Sequence, residues 1–254
     1  MSEPDTGSDL ASVRTRADRV EGGWTVNGSK VWTSGAHLAH RMITLLRTSP
    51  RDEEHRHAGL SQFIIDLHSQ GVLIRPITSL DGGHHFNEVV FTDVFVPDDD
   101  VLGEVGDGWK QCTGELAIER SGPERVLSTL PLLLLWVEAL RAGSPEADPH
   151  TRRVLGQLIA RLWVLRQMSL AVAGALAAGE SPEVEAALVK DLGTRFESEL
   201  TDAVRRLAPV PPELDGTPLS SMLATAVLHA PGFTLRGGTN EILRGVVARG
   251  LGVR

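Results

Sequence analysis

The chain has no tyrosine and a single cysteine among its 254 residues. No phenol is available as an acid, a base or a stacking platform, and Cys112 alone excludes an internal disulfide or a cysteine-built metal cage. Basic residues are also in the minority, with Lys+Arg at 25 against Asp+Glu at 33 and a formal net charge of −8. That balance argues against nucleic-acid partners, which need a clustered basic face to neutralise phosphates. The longest unbroken apolar stretch, Leu130 to Val137, is too short to span a bilayer, so no membrane insertion is expected. The acidic start, Met-Ser-Glu-Pro-Asp, is unlike a secretory signal, and the expected location is cytoplasmic. What remains is ample for folding. Hydrophobic residues make up 41% and charged residues 23%, which allows a packed core in one large domain or two modest ones.

Character changes near Gly103. Before it the pattern alternates with period two, in short segments punctuated by Gly, Pro and Asp. Trp24–Val26 and Ser29–Trp32 flank Asn27-Gly28, which predicts a hairpin there. Further strands are predicted at Met42–Leu46, Gln62–Leu67, Val72–Ile77, Glu88–Phe91 and Val94–Val96. Together these predict a small antiparallel β-barrel or sandwich. After Gly103 the apolar spacing turns helical, as in Leu155, Leu158, Ile159, Leu162 and Leu165. Helices are predicted over 109–141, 151–178, 182–207, 217–229 and 239–249, with linkers at Ala142–His150 and Ala208–Pro218. Strands in one block and helices in the next give an α+β protein: a β domain over 1–103 and a helical bundle over 104–254.

Within the helical block, Pro123 cannot donate to the carbonyl of Glu119, so the helix must kink or restart there. Ser121 with Glu124 is a candidate capping box for the restart. Thr239 is a candidate N-cap whose helix start, with its free N–H groups, suits a pyrophosphate. A plain loop-to-helix joint fits the same spacing. The histidines form no metal-ligand set. His55 and His57 belong to a solvated loop, and Cys112 reads as a small buried residue.

Four segments in order carry a resemblance: Glu3-Pro4-Asp5-Thr6-Gly7-Ser8-Asp9, Asn27-Gly28-Ser29-Lys30-Val31-Trp32-Thr33-Ser34-Gly35, Phe86–Phe91 running on to Gly103, and Gly237-Gly238-Thr239-Asn240-Glu241-Ile242-Leu243-Arg244. Their order and spacing resemble the acyl-CoA dehydrogenases, a family of FAD enzymes. The resemblance implies a middle β domain followed by a C-terminal four-helix bundle, without the family's N-terminal helical domain. It implies FAD as cofactor, an acyl-CoA thioester as substrate, a homodimer or homotetramer, and an electron-transferring flavoprotein as electron acceptor. Ser2, Trp32 and one hydroxyl of the Thr33-Ser34 pair match the flavin-contacting places, and Ser8 matches an acyl-CoA contact. Gly238, Thr239 and Glu241 match the segment that closes over the cofactor. Ala208-Pro209-Val210-Pro211-Pro212 stands where relatives carry a glycine-rich FAD contact.

The family reaction removes a proton from the α carbon, which needs a positioned carboxylate and a donor to the thioester oxygen. Many relatives carry that carboxylate at the position of Gly237. Isovaleryl-CoA and long-chain acyl-CoA dehydrogenases carry it on the first bundle helix, just before an arginine. Glu119 matches this alternative base and Arg120 the arginine beside the substrate, while Gly237 keeps the backbone N–H that serves the thioester oxygen. Without the resemblance, Glu119-Arg120 reads as an exposed charged pair and Ser8 as a turn residue. Two other functions fit the same segments: a partial subunit serving as an assembly partner, and a flavin monooxygenase or oxidase on the same fold.

Overall fold

The computed structural model describes residues 1–143 and 148–253. It separates into two compact units, Met1–Glu115 and Leu116–Arg254. The first is a seven-stranded sheet: β1 (Arg16–Val20), β2 (Gly23–Ser34), β3 (Arg41–Arg47), β4 (Leu60–Asp66), β5 (Val72–Thr78), β6 (His84–Pro97) and β7 (Val101–Leu102). Strand order is β5-β6-β2-β1-β3-β4-β7. Every pairing between these strands is antiparallel except a one-residue parallel contact between β1 and β3, Arg16 with Arg47.

The hairpin expected at Asn27-Gly28 is not there. Those residues lie inside β2, and the turn that reverses the chain is Glu21-Gly22, between β1 and β2. Charge hid β1: Arg-Ala-Asp-Arg-Val has one buried residue, Ala17. Asn27 and Gly28 instead form one side of a paired bulge. Opposite them, β6 buries Val89 and Phe91, then Val94 and Val96, so the inward phase slips by one residue at Asp93. Asp93 takes a φ of 50°, its N–H donates to Asn27 Oδ1 at 3.0 Å, and Asn27 Nδ2 donates to Asp93 Oδ1 at 3.0 Å. This is why two separate short strands, Glu88–Phe91 and Val94–Val96, are one. Glycine is required at 28 because its φ is 141° and a Cβ would fall 2.7 Å from the Thr15 backbone. Trp24, Phe63, Ile65, Val89, Phe91 and Val94 form the core of this unit, with Trp24 edge-on to Phe63. Cys112, at the start of the first helix, is fully buried with Leu45 and Leu60.

The helices are α1 (Gly108–Arg120), α2 (Glu124–Leu127), α3 (Leu130–Ala142), α4 (Pro149–Ala177), α5 (Glu183–Leu207), α6 (Pro218–Phe233) and α7 (Asn240–Gly250). The helix restart expected from Pro123 is present, because α1 stops at Arg120 and α2 begins at Glu124. The capping box is not formed. Ser121 Oγ turns back to the Ile118 carbonyl at 3.5 Å, and Glu124 pairs with Arg125. α4 starts two residues earlier than expected because Asp148 caps it, accepting from the N–H groups of His150 and Thr151. Leu158, Leu165, Phe196, Leu200, Leu223 and Trp136 interlock as the core of the second unit. Each such side chain, fully buried, contributes about 1.5–3 kcal/mol. The other face of α4 leaves Ile159, Trp163, Val164 and Leu170 exposed, and by length and composition alone this helix is apolar enough to cross a bilayer. A β block followed by a helical block is the α+β architecture expected from the sequence.

Candidate functional site

In the first unit the N-terminal segment is locked to the sheet by Glu3. Its carboxylate accepts from Lys30 Nζ at 2.7 Å and from the N–H groups of Arg14 and Thr15 at 2.7 and 2.9 Å. Lys30 is entirely buried and Glu3 nearly so. Burial opposes ionisation of Glu3, but the Lys30 ammonium and the N–H donors outweigh it and hold its pKa below the ordinary value. Lys30 lies within the Asn27–Gly35 segment, and its spacing from Glu3 carries no local sign that the two pair. The signal was a lysine at an inward position of an otherwise alternating strand.

This anchor sets Ser2 against β2, where the Ser2 carbonyl accepts from the Val31 N–H at 2.9 Å. The next residue is Trp32, with a φ of 61° and 58% of its surface exposed. A left-handed backbone is costly for a bulky side chain and is worth a functional question when it persists. Here it arises where the β2–β6 register slips between Lys30 and Thr33. The slip turns the indole outward, edge-on to Phe86 at 5.8 Å between ring centroids. Thr33 and Ser34 follow, with the Thr33 carbonyl held by Asn87 Nδ2 at 3.0 Å. Ser2 is thus held by its backbone one residue before Trp32, and Thr33 and Ser34 follow it along β2. Ser8 lies apart, exposed in the turn after Thr6.

The second unit brings together Glu119, Arg120, Gly237 and Gly238. Arg120 Nε donates to the Gly237 carbonyl at 3.2 Å. Both glycines take positive φ, 67° and 92°. A Cβ placed on Gly237 would stand 3.4 Å from Arg125 Nη2, 3.9 Å from Glu119 Oε1 and 3.9 Å from Lys190 Cε. The Glu119 carboxylate therefore borders the space that a side chain at 237 would enter. Glu119 is otherwise exposed, at the last turn of a helix that has lost its continuation. Thr239 caps α7 as expected, its hydroxyl accepting from the Ile242 N–H at 3.4 Å. Glu241 is held below its ordinary pKa by its own backbone N–H and the Thr239 hydroxyl.

Behind this loop lies a cationic cluster that the sequence did not announce. Arg125 is 2% exposed, its Nε donates to the Arg120 carbonyl at 3.3 Å, and Nη1 is enclosed with no partner among the described residues. Its stem occupies the groove left by Gly193, where a Cβ would meet Arg125 Cβ at 2.9 Å. Lys190 of α5 is fully buried, and Glu197 accepts from Ser128 and Arg236. Helical spacing sets Lys190 and Glu197 on the same face as Ala186, Ala187, Gly193 and Thr194. A charged residue on a small-residue stripe was the available signal.

Residues 1–94 match the model of the acyl-CoA dehydrogenase middle domain, and residues 135–252 match that of the acyl-CoA dehydrogenase C-terminal domain. The chain is 34% identical to acyl-CoA dehydrogenase FadE34 of Mycobacterium tuberculosis over 253 residues, 99% of this chain and 34% of that protein. It is 36% identical to acyl-CoA dehydrogenase IpdE1 of the same organism over 264 residues, 97% of this chain and 64% of that protein. Among solved structures, the G363A variant of the Tcur3481-Tcur3483 steroid ACAD superposes with a TM-score of 0.89 at 30% identity, covering all of this chain and 67% of the other. The chain thus spans between about a third and two thirds of the length of these curated relatives.

Proposed function

The chain belongs to the acyl-CoA dehydrogenase family, and we propose that it carries the family's flavin-dependent α,β-dehydrogenation of an acyl-CoA thioester, with Glu119 as the base. One observation carries the proposal. Glu119 Oε1 borders the vacancy at Gly237, so a carboxylate reaches the same loop from the helix when the loop itself has none.

Each unit, taken by itself, offers residues suited to part of FAD. Trp32 offers an exposed aromatic face, with Ser2 bonded to the preceding residue Val31 and one hydroxyl of the Thr33-Ser34 pair available beyond it, a set suited to a flavin ring. The capped start of α7, with Gly238, Thr239 and Glu241 around it, suits the pyrophosphate side of the cofactor. When bound, FAD supplies the acceptor for the hydride leaving the β carbon. Glu119 takes the α proton and becomes a carboxylic acid. The Gly237 N–H donates to the thioester oxygen as charge builds there. Arg120, bonded to the Gly237 carbonyl, keeps that loop in register with the base. Ser8 and Arg120 contact the acyl-CoA.

Further parts of the reading follow from family membership. An electron-transferring flavoprotein takes the electrons onward, and the chain assembles as a homodimer or homotetramer in the cytoplasm, with the exposed apolar face of α4 available for contact. The test is to purify the chain with FAD and offer a panel of acyl-CoAs with an artificial electron acceptor. Because one structural neighbour is a steroid ACAD, steroid thioesters of CoA belong on that panel. Flavin-loaded protein inert to the whole panel overturns the proposal. The Ala208-Pro209-Val210-Pro211-Pro212 stretch, standing where relatives carry a glycine-rich FAD contact, favours one second reading, a partial subunit serving as an assembly partner. A chain that fails to retain FAD in a titration supports that reading. Oxygen consumption without added acceptor marks an oxidase or monooxygenase instead.

A further inference from the structure

Lys190 is enclosed on every side, and no carboxylate is bonded to it among the described residues. Its Nζ donates to three oxygens: the Gly238 carbonyl at 2.6 Å, Asn240 Oδ1 at 2.9 Å and the Thr234 carbonyl at 3.2 Å. An ammonium has three donors and no acceptor, so every donor is used. Burying a cation without an anionic partner is costly, and an apolar helix residue would avoid the cost. What the charge achieves is to draw together three oxygens that span residues 234 to 240. That segment holds Gly237 and Gly238, both in the left-handed region, where glycine has the most freedom to lose. Thr194 Oγ1 also donates to Asn240 Oδ1 at 3.0 Å, tying the same point to α5 a second time.

We infer that Lys190 is the positioning residue of the Gly237–Gly238 loop, holding the loop backbone beside Glu119 through its three N–H donors. The inference deepens the proposed function, because it is that reading which gives the loop a role toward the thioester. Several charged groups face Lys190: Arg125 from α2, Arg236 from the segment before α7, Asp191 and Glu197 from α5, and Glu241 on α7. Burial first, then Arg125 and Arg236, push its pKa down, against Asp191 and Glu197, from the ordinary 10.5 to about 8. Above that pH the amine keeps two donors and presents a lone pair to three oxygens. One oxygen loses its partner and the loop slackens.

Global stability responds with the opposite sign. The unfolded chain keeps this proton up to about 10.5 while the folded chain releases it at about 8. Between those values the unfolded state binds more protons, so the Lys190 contribution to stability rises with pH. General alkaline unfolding would lower loop protection and stability together, whereas this latch separates them.

The experiment is amide hydrogen exchange on the full chain from pH 6.5 to 9.5, corrected for intrinsic exchange. The protection of peptides covering residues 234–243 should fall about tenfold, the equivalent of one lost hydrogen bond, with a midpoint near 8. Sheet peptides of the first unit should stay level. Lys190→Met should show low protection at every pH. Should that variant not fold, Asn240→Asp tests the same point by adding an anion at Nζ, and it should move the midpoint up by about one unit. Flat protection in the unmodified chain, or an unmoved midpoint in Asn240→Asp, overturns the inference. Neither cofactor nor substrate is present in this measurement, so its failure is separate from any failure of Glu119 as base.

Discussion

Replacing Glu119 by Gln keeps the shape of the side chain and removes its ability to accept a proton. Glu119 is exposed and has no bonded partner whose loss would be felt in folding among the described residues, so stability should change by less than about 0.5 kcal/mol. Activity should fall by about 10²–10⁴-fold, the usual contribution of a general base, equivalent to about 3–5 kcal/mol of barrier. Glu119→Asp sharpens the test. The carboxylate borders the Gly237 vacancy at 3.9 Å, and one fewer methylene withdraws it by about 1.5 Å. A displacement of that size costs on the order of 100-fold. The assay is dye-coupled turnover of FAD-loaded protein, paired with exchange of the substrate α proton for deuterium in buffer. Both variants should keep the flavin spectrum of the parent chain. Glu119→Gln with more than a third of the parental rate, or with normal α-proton exchange, refutes the assignment of the base.

Trp32→Gly should leave the fold intact, because a φ of 61° suits glycine and the indole is mostly exposed, while FAD affinity in a fluorescence titration should drop about fivefold with the lost aromatic contact. Lys30→Met should destabilise the chain by about 3–5 kcal/mol in urea unfolding, since Glu3 would stay buried without its cation. The same pair governs acid stability. The folded Glu3 pKa lies below its ordinary value, so its contribution is complete above that value and is lost as pH falls through the folded one. Without Lys30 the burial of Glu3 raises its pKa, so protonation relieves the unpaired charge and the stability deficit of Lys30→Met, followed by circular dichroism, should shrink as pH falls through the carboxylate range. Gly28→Ala should cost about 1–3 kcal/mol, because its Cβ would meet the Thr15 backbone, while Gly7→Ala, with nothing within 4 Å, should be neutral in the same unfolding assay.

The sequence conveyed the fold where pattern and chemistry agreed. Thr239 was legible as a cap because a hydroxyl ahead of an apolar helical run has one local use. Pro123 was legible as a break for an equally local reason. The Asn27-Gly28 turn failed because its residues were chosen for a bulge, and only the facing strand, with Asp93, reveals that. β1 failed because its side chains are mostly solvated and its place in the sheet is fixed by long-range pairing. The candidate site was legible in the same divided way. Glu119, Gly237 and Trp32 came from the family resemblance, whereas Lys190, Arg125 and Glu3 support them from behind through contacts between distant segments.

That division has a physical root in how a base can change its address. A carboxylate carried on a loop at position 237 would need a left-handed backbone, which costs a residue with a Cβ about 1–2 kcal/mol. Glycine accepts that backbone without strain, provided another element brings the carboxylate. The last turn of α1 does so, since Pro123 frees the helix end and Arg120 binds it to the Gly237 carbonyl. A loop with two left-handed glycines would then be too free to hold an N–H on a thioester oxygen. The tether from Lys190 to Gly238, Thr234 and Asn240 supplies the stiffness that the missing side chain does not. Restoring a glutamate at Gly237 in a Glu119→Gly background is consequently expected to rescue little activity. The new Cβ would sit 3.4 Å from the buried Arg125 guanidinium, which would capture the carboxylate. Rescue to within tenfold of the parent chain, measured by dye-coupled turnover, would show that Arg125 leaves that position open.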